Sequence, residues 1–143
     1  MSVYQISIFL ENRAGQLAEV TRVLADNAID MRAISIAETS DYGVLRLIVD
    51  DAERATFLLH QHGFVISMTP VSVVSVPDEI GGLAPVLEAL AKGHMDVEYM
   101  YSLFTHKEGM AYMVFRIEDE AKFAELLRPY RIKLAGKEEL GLK

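Results

Sequence analysis

Two stretches of the chain, NRAGQLAEVTRVLADNAIDM (12–31) and DEIGGLAPVLEALAKGHMDV (78–97), decide the fold because they are copies of one another. When the second is set under the first at an offset of 66 residues, nine of the 29 positions from Gly15 to Gly43 are identical. Unrelated sequences of this composition would share roughly two. The chain is therefore predicted to be a duplication, with one module at 1–69 and another at 70–143.

The apolar spacing predicts the same order of elements in both modules. In the first, residues alternate along a strand at 4–10, then recur at helical spacing to Ala28. Strands at 31–37 and 44–49 form a hairpin, followed by a helix that Gly63 stops and a strand at 64–68. The second module repeats this with strands at 71–76, 97–104, 110–117 and 132–135, after a short insertion that brings Asp51 opposite Asp119. The sequence thus predicts an α+β fold of two ferredoxin-like βαββαβ modules, each with two helices on one face of an antiparallel sheet.

Composition excludes several classes of function. The 143 residues carry a formal net charge of −7, which opposes binding to nucleic acid phosphates. With no apolar run long enough to span a membrane and no secretion signal at the N-terminus, a cytoplasmic location is expected. The absence of cysteine excludes disulfides and thiolate chemistry. His60 and His62 have no third ligand in view, so they are predicted to be solvated and no metal is expected.

One segment resembles a known family of regulatory domains. Glu11-Asn12-Arg13-Ala14-Gly15-Gln16-Leu17, between a strand end and a helix, is similar to the glycine loop of ACT domains, which are attached to many enzymes of amino-acid metabolism. The similarity continues through Ala28-Ile29-Asp30-Met31, where the family enters its second strand, and covers nearly the whole chain twice. The chain departs from the family in having Ala14 and Ile80 where proline is frequent before the glycine. It also has Asp30 and Asp96 where asparagine is frequent.

The resemblance implies a function as well as a fold. ACT domains typically pair side by side and bind amino acids at the junction, and free-standing tandem ACT proteins resemble this chain most. The resemblance therefore implies a non-catalytic sensor that takes a free amino acid and no cofactor. A homodimer is expected, and so is a partner among the enzymes of amino-acid or related metabolism.

The residues themselves suit the two α-groups of an amino acid. Exposed amides at a helix N-terminus favour a carboxylate, and a carboxylate or amide oxygen favours an ammonium. One cleft per module is therefore predicted, with the glycine turn on one side and the aspartate that opens the second strand on the other. The candidate ligand-binding residues are Asn12, Ala14, Gly15, Leu17, Asp30 and Met31 in the first module, and Asp78, Ile80, Gly81, Leu83 and Asp96 in the second.

Each of these residues also has a purely structural interpretation. Gly15 and Gly81 would serve tight strand-to-helix turns, and Asn12 and Asp78 would cap helices or form turns. Asp30 and Asp96 would be ordinary polar residues in the connections between a helix and a strand. Leu17 and Leu83 would belong to the core. Two other functions stay open: an interaction or oligomerisation module with empty clefts, and a small enzyme on a ferredoxin-like scaffold. The enzyme is the weakest, because no catalytic constellation or phosphate loop is legible.

Overall fold

A computed structural model describes residues 3–143 except 12, 39, 40 and 106, with Glu38 described by its backbone alone. The chain divides into two compact units between Thr69 and Pro70. We call Tyr4–Thr69 with Gly141–Lys143 the first module, and Pro70–Leu140 with Val3 the second. The sequence assigned residues 141–143 to the second module. In the structure they join the first, where the Lys143 N–H donates to the Asp50 carbonyl oxygen at 2.9 Å.

The first module is a four-stranded antiparallel sheet in the order β2-β3-β1-β4. Its elements are β1 (Val3–Glu11), α1 (Gln16–Asp26), β2 (Met31–Glu38), β3 (Tyr42–Val49), α2 (Ala52–Gln61) and the first part of β4 (Val65–Pro77). Its buried core joins apolar residues of β1 and β3 to those of both helices. The predicted helix over-ran its end, because Ala28 has a left-handed φ of 56° that no α-helix can continue.

The second module uses the rest of β4 in the sheet order β7-β4-β6-β5. It adds α3 (Ala84–Lys92), β5 (Tyr99–Ser102), β6 (Met110–Arg116), α4 (Glu120–Leu127), a 3-10 turn (Arg128–Tyr130), β7 (Leu134–Ala135) and α5 (Lys137–Leu140). Its core packs the two long helices, α3 and α4, against β4 and β6. The α+β fold of two ferredoxin-like modules is therefore confirmed.

Several predicted bounds were wrong in instructive ways. The two strands expected at 64–68 and 71–76 are one strand, because Pro70 has a fixed φ that extended backbone accepts. The last strand is shorter than 132–135, since the Ile132 N–H bonds back to the Leu127 carbonyl and holds the chain in a turn. β5 is also shorter than 97–104, and α5 was not predicted.

The strand register confirms the duplication and its insertion. Ser7 faces Arg46 across the first sheet, and Val73 faces Val114 across the second. Val73 lies 66 residues after Ser7, whereas Val114 lies 68 after Arg46, so two residues were added between β5 and β6. Equivalent positions therefore differ by 66 before the hairpin and by 68 after it.

Among the described residues, no helix is long and apolar enough to cross a membrane.

Candidate functional site

The two glycine turns share a backbone conformation that requires glycine. Gly15 caps α1 with a φ of 90°, and Gly81 lies before α3 with a φ of 78°. A Cβ at either position would meet nothing within 4 Å, so the requirement comes from the positive φ and not from lack of space for that atom. Both glycines therefore serve the strand-to-helix turns, as their structural interpretation states. Their role toward a ligand stays a prediction.

Among the described residues of the first module, the glycine turn borders a small cavity. Its volume is about 110 Å³, and its lining residues are Leu10, Glu11, Arg13, Gln16, Leu17, Ile36, Tyr42 and Gly43. Leu17 is 40% exposed and lines this cavity, so the interpretation of Leu17 as a core residue was wrong. Ala14 lies exposed in the turn, and Asn12 falls outside the described residues.

Asp30 and Met31 have structural partners at the start of β2. The Asp30 N–H donates to the Asp50 carboxylate at 3.0 Å, and the Asp50 N–H donates to the Asp30 carbonyl at 3.0 Å. The Asp30 carboxylate forms an ion pair with Arg32 at 3.1 Å. Met31 packs against the core. These contacts secure the connection between α1 and β2.

In the second module the glycine turn opens onto a far larger cavity, of about 510 Å³. Three segments build it: the end of β4 with the glycine loop, the start of β6, and the stretch from the 3-10 turn to α5. We call it the glycine-loop cavity, and its lining residues are Ser75, Pro77, Glu79, Gly81, Gly82, Pro85, Met110, Tyr130, Arg131, Ile132, Lys133 and Glu139.

The other predicted residues of the second module do not line that cavity. Ile80 is fully exposed, and Leu83 packs against the core as its structural interpretation states. The Asp78 N–H donates to the Gly109 carbonyl at 2.9 Å, which ties the loop to the hairpin. Asp96 lines a separate cavity rich in carboxylates. One cleft holding both Gly81 and Asp96 was a wrong expectation, because α3 separates them and its nine residues span about 14 Å.

The glycine-loop cavity carries balanced charge. Glu79 and Glu139 supply two carboxylates, and Arg131 and Lys133 supply two cations. Within the described chain, neither cation forms an ion pair. Glu139 is oriented by the buried Tyr112, whose hydroxyl donates to Glu139 Oε2 at 3.1 Å. Burial raises the pKa of Tyr112, and the hydrogen bond to Glu139 adds to the rise, so this phenol stays a proton donor at neutral pH.

Arg131 occupies a strained backbone position. Its φ is 59°, in the left-handed region, and its counterpart in the first module, 68 residues earlier, is Gly63 with a φ of 86°. A non-glycine residue in this conformation costs roughly 1–2 kcal/mol. Ala28 and His94 share this conformation where helices end, and Arg131 likewise ends the 3-10 turn, so the strain has a structural setting.

The backbone amides at the N-terminus of α3 are already hydrogen-bonded or absent. In α3, the Ala84 N–H donates to the Gly81 carbonyl at 3.2 Å, Pro85 has no N–H, and the Val86 N–H donates to the Leu83 carbonyl at 3.1 Å. The first three residues of α3 therefore present no free amide to a carboxylate. Arg131 and Lys133 are the two cations that line the cavity beside this helix.

Gly82 lines the glycine-loop cavity, and the sequence analysis did not single it out. A Cβ at Gly82 would overlap the Pro77 carbonyl oxygen, which is backbone and has no freedom to move aside. The loop therefore folds tightly only with glycine at this position. A signal was present in the sequence, since the glycine pair at 81–82 faces Gly-Gln at 15–16 in the duplicate.

A family model described as ACT domain pair matches residues 1–141. The chain belongs to this family. A crystal structure of protein BT0572 from Bacteroides thetaiotaomicron is similar over 99% of this chain and 96% of its own, with 38% identity and a TM-score of 0.89. The comparison with curated proteins gives no match.

More distant structures share the ACT pair fold. The ligand-free regulatory subunit of aspartate kinase from Thermus thermophilus is 19% identical, with 92% of each chain covered and a TM-score of 0.66. The corresponding subunit from Thermus flavus is 18% identical over 92% of each chain, with a TM-score of 0.61. At these identities the likeness concerns the fold alone.

The three histidines that the structure describes in this ACT pair do not line the glycine-loop cavity. His60 and His62 come at the end of α2, where His62 Nδ1 lies 2.8 Å from the Leu58 carbonyl oxygen. His94 lines the acidic cavity with Asp96. In the part of the chain that the structure describes, no three histidine or carboxylate side chains gather as a metal site.

Proposed function

We propose that the second module binds a free α-amino acid in the glycine-loop cavity. The observation that carries this proposal is the meeting of two carboxylates and two cations around one cavity beside a tight glycine turn. A zwitterion needs partners of both signs close together, and charge-assisted hydrogen bonds are the strong ones. The volume of about 510 Å³ also falls in the range of about 300–1,000 Å³ typical of small-molecule pockets.

Each charged group has a role in this proposal. Arg131 and Lys133 bind the α-carboxylate, and Glu79 and Glu139 accept hydrogen bonds from the α-ammonium. Gly81 and Gly82 let the ligand approach the backbone of the loop. Met110, Pro85 and Ile132 supply apolar wall for the ligand's side chain. The ammonium role that the sequence assigned to Asp96 is thereby transferred to Glu79 and Glu139.

Titration calorimetry with matched pairs of amino acids and their 2-oxo acids tests this function. We expect at least one amino acid to bind and its oxo acid to bind about tenfold more weakly or worse. The reason is that the oxo acid forfeits a charge-assisted hydrogen bond, a loss of roughly 1.5–3 kcal/mol. Equal affinities would show that the ammonium is not recognised, and no heat with any amino acid would contradict the proposal as a whole.

The wider role that we propose is regulation. The ACT fold is typically non-catalytic, and the family supports a ligand-binding regulatory role. We propose that amino-acid occupancy biases the assembly of this chain, or its contact with an enzyme of amino-acid metabolism. A cytoplasmic location stays a prediction.

An exposed aromatic pair favours a second candidate function, an interaction module. Phe9 and Tyr42 stack with ring centroids 4.6 Å apart, although they are 47% and 40% exposed. Exposed apolar groups that adjoin one another often mark contact surfaces. β2 also forms an edge of its sheet, and edge strands tend to be paired or covered. We therefore expect a homodimer. A monomer in sedimentation velocity at micromolar concentration would contradict that expectation without affecting the fold.

A further inference from the structure

The two modules secure the end of their first strand by different means. In the first module, the Glu11 N–H donates to the side-chain oxygen of Gln16 at 2.7 Å. The equivalent residues in the second module are Pro77 and Gly82. Proline has no N–H to satisfy and glycine has no side chain to offer, so this hydrogen bond is missing from both of its ends. The pair of residues has changed together between the copies.

This exchange accompanies a difference in the space beside each glycine turn. The Gln16 side chain reaches back from the start of α1 to the end of β1 and lines the cavity of the first module. That cavity has about 110 Å³, below the usual range of ligand pockets. Where Gly82 replaces the glutamine, the loop lies tight against Pro77 and the cavity has about 510 Å³.

Charge does not explain why only one cavity would take an amino acid. Glu11 and Arg13 line the first cavity and offer one charge of each sign, as a zwitterion requires. The volume of the cavity therefore decides which module binds an amino acid. We infer that Gln16 closes the cleft of the first module, so that the chain carries a single amino-acid site, in its second module. This inference rests on the proposed function and assigns its stoichiometry.

An NMR titration of the whole chain tests the inference, with a mixture of the standard L-amino acids as the probe. We expect the backbone amide signals of Gly81 and Gly82 to shift, while those of Gly15 and Gln16 stay in place. Calorimetry with the amino acid that binds most tightly should give one site per chain. Two sites, or shifts at Gly15 equal to those at Gly81, would overturn the inference but leave the proposed function standing.

Two variants test whether Gln16 secures the first glycine turn and whether the first cleft takes part in binding. Gln16→Ala removes the acceptor for the Glu11 N–H, so hydrogen exchange of that amide should accelerate up to roughly tenfold. Unchanged exchange would mean that the hydrogen bond does not hold the turn. Leu17→Trp, a bulky change at an exposed position of the same cavity, should leave affinity unaltered, and a loss of binding would overturn the inference. If no amino acid shifts either glycine turn, the proposed function itself fails.

Discussion

Replacing Arg131 by glycine is expected to stabilise the chain while weakening amino-acid binding about tenfold. The stability gain follows from the φ of 59° at this position, which costs a non-glycine residue roughly 1–2 kcal/mol. Glycine also has a larger conformational entropy in the unfolded chain, which favours unfolding and offsets about 0.5–1 kcal/mol of this stabilisation. The free energy of unfolding should therefore rise by up to about 1 kcal/mol. The loss of binding follows from the proposed function, in which Arg131 is one of the two cavity-lining cations that bind the ligand's carboxylate.

The duplicate provides the matched control. Gly63 occupies the equivalent left-handed position in the first module, with a φ of 86° and open space around it. By the same balance, Gly63→Arg should lower the free energy of unfolding by up to about 1 kcal/mol and leave amino-acid affinity unchanged. Urea denaturation and calorimetry on both variants give the four values needed. If Arg131→Gly binds as tightly as the parent chain, Arg131 is not a ligand-binding residue.

The second large effect is expected from Gly82→Ala. A methyl group at Gly82 overlaps the Pro77 carbonyl oxygen, so the glycine loop must shift to accommodate it. Overpacking of this kind typically destabilises a fold by about 1–3 kcal/mol, and the shifted loop should also lose amino-acid affinity. Urea denaturation measures the first effect and calorimetry the second.

Gly136→Ala is the control for that variant. A Cβ at Gly136 has no atom within 4 Å and its backbone is not left-handed, so the substitution should be neutral or slightly stabilising. If Gly82→Ala is as stable as Gly136→Ala, the glycine loop is softer than its geometry indicates, and Gly82 has no special place in the site.

Periodicity was sufficient to predict the framework of this chain. Apolar alternation along β1 and the helical stripe from Leu17 reflect burial on one face, which local sequence records directly. The repeat then fixed the order of elements, because two copies of one pattern leave few alternatives. The ends of helices and strands were predicted wrongly where the conformation of a single residue decides them. At Ala28, for example, a left-handed φ prevents the first helix from continuing.

The candidate site was predicted less well, and for a physical reason. Gly81 was found because the repeat aligns it with Gly15, and a glycine before a helix is a signal that local sequence carries. Glu79 and Glu139 line the same cavity, although they are far apart in sequence, because the chain after Arg131 comes back to the glycine loop. Such proximity depends on tertiary structure and produces no periodic pattern in the sequence. The repeat did carry a signal, since Arg131 stands where the first module has Gly63.

A crystal structure of the chain with its tightest amino acid tests the central claim most directly. The account predicts one ligand per chain, in the glycine-loop cavity, with its carboxylate within hydrogen-bonding distance of Arg131 or Lys133. Its ammonium should lie against Glu79 or Glu139. An amino acid seated at the turn of Gly15, or held by Asp30 or Asp96 away from that cavity, would contradict the account.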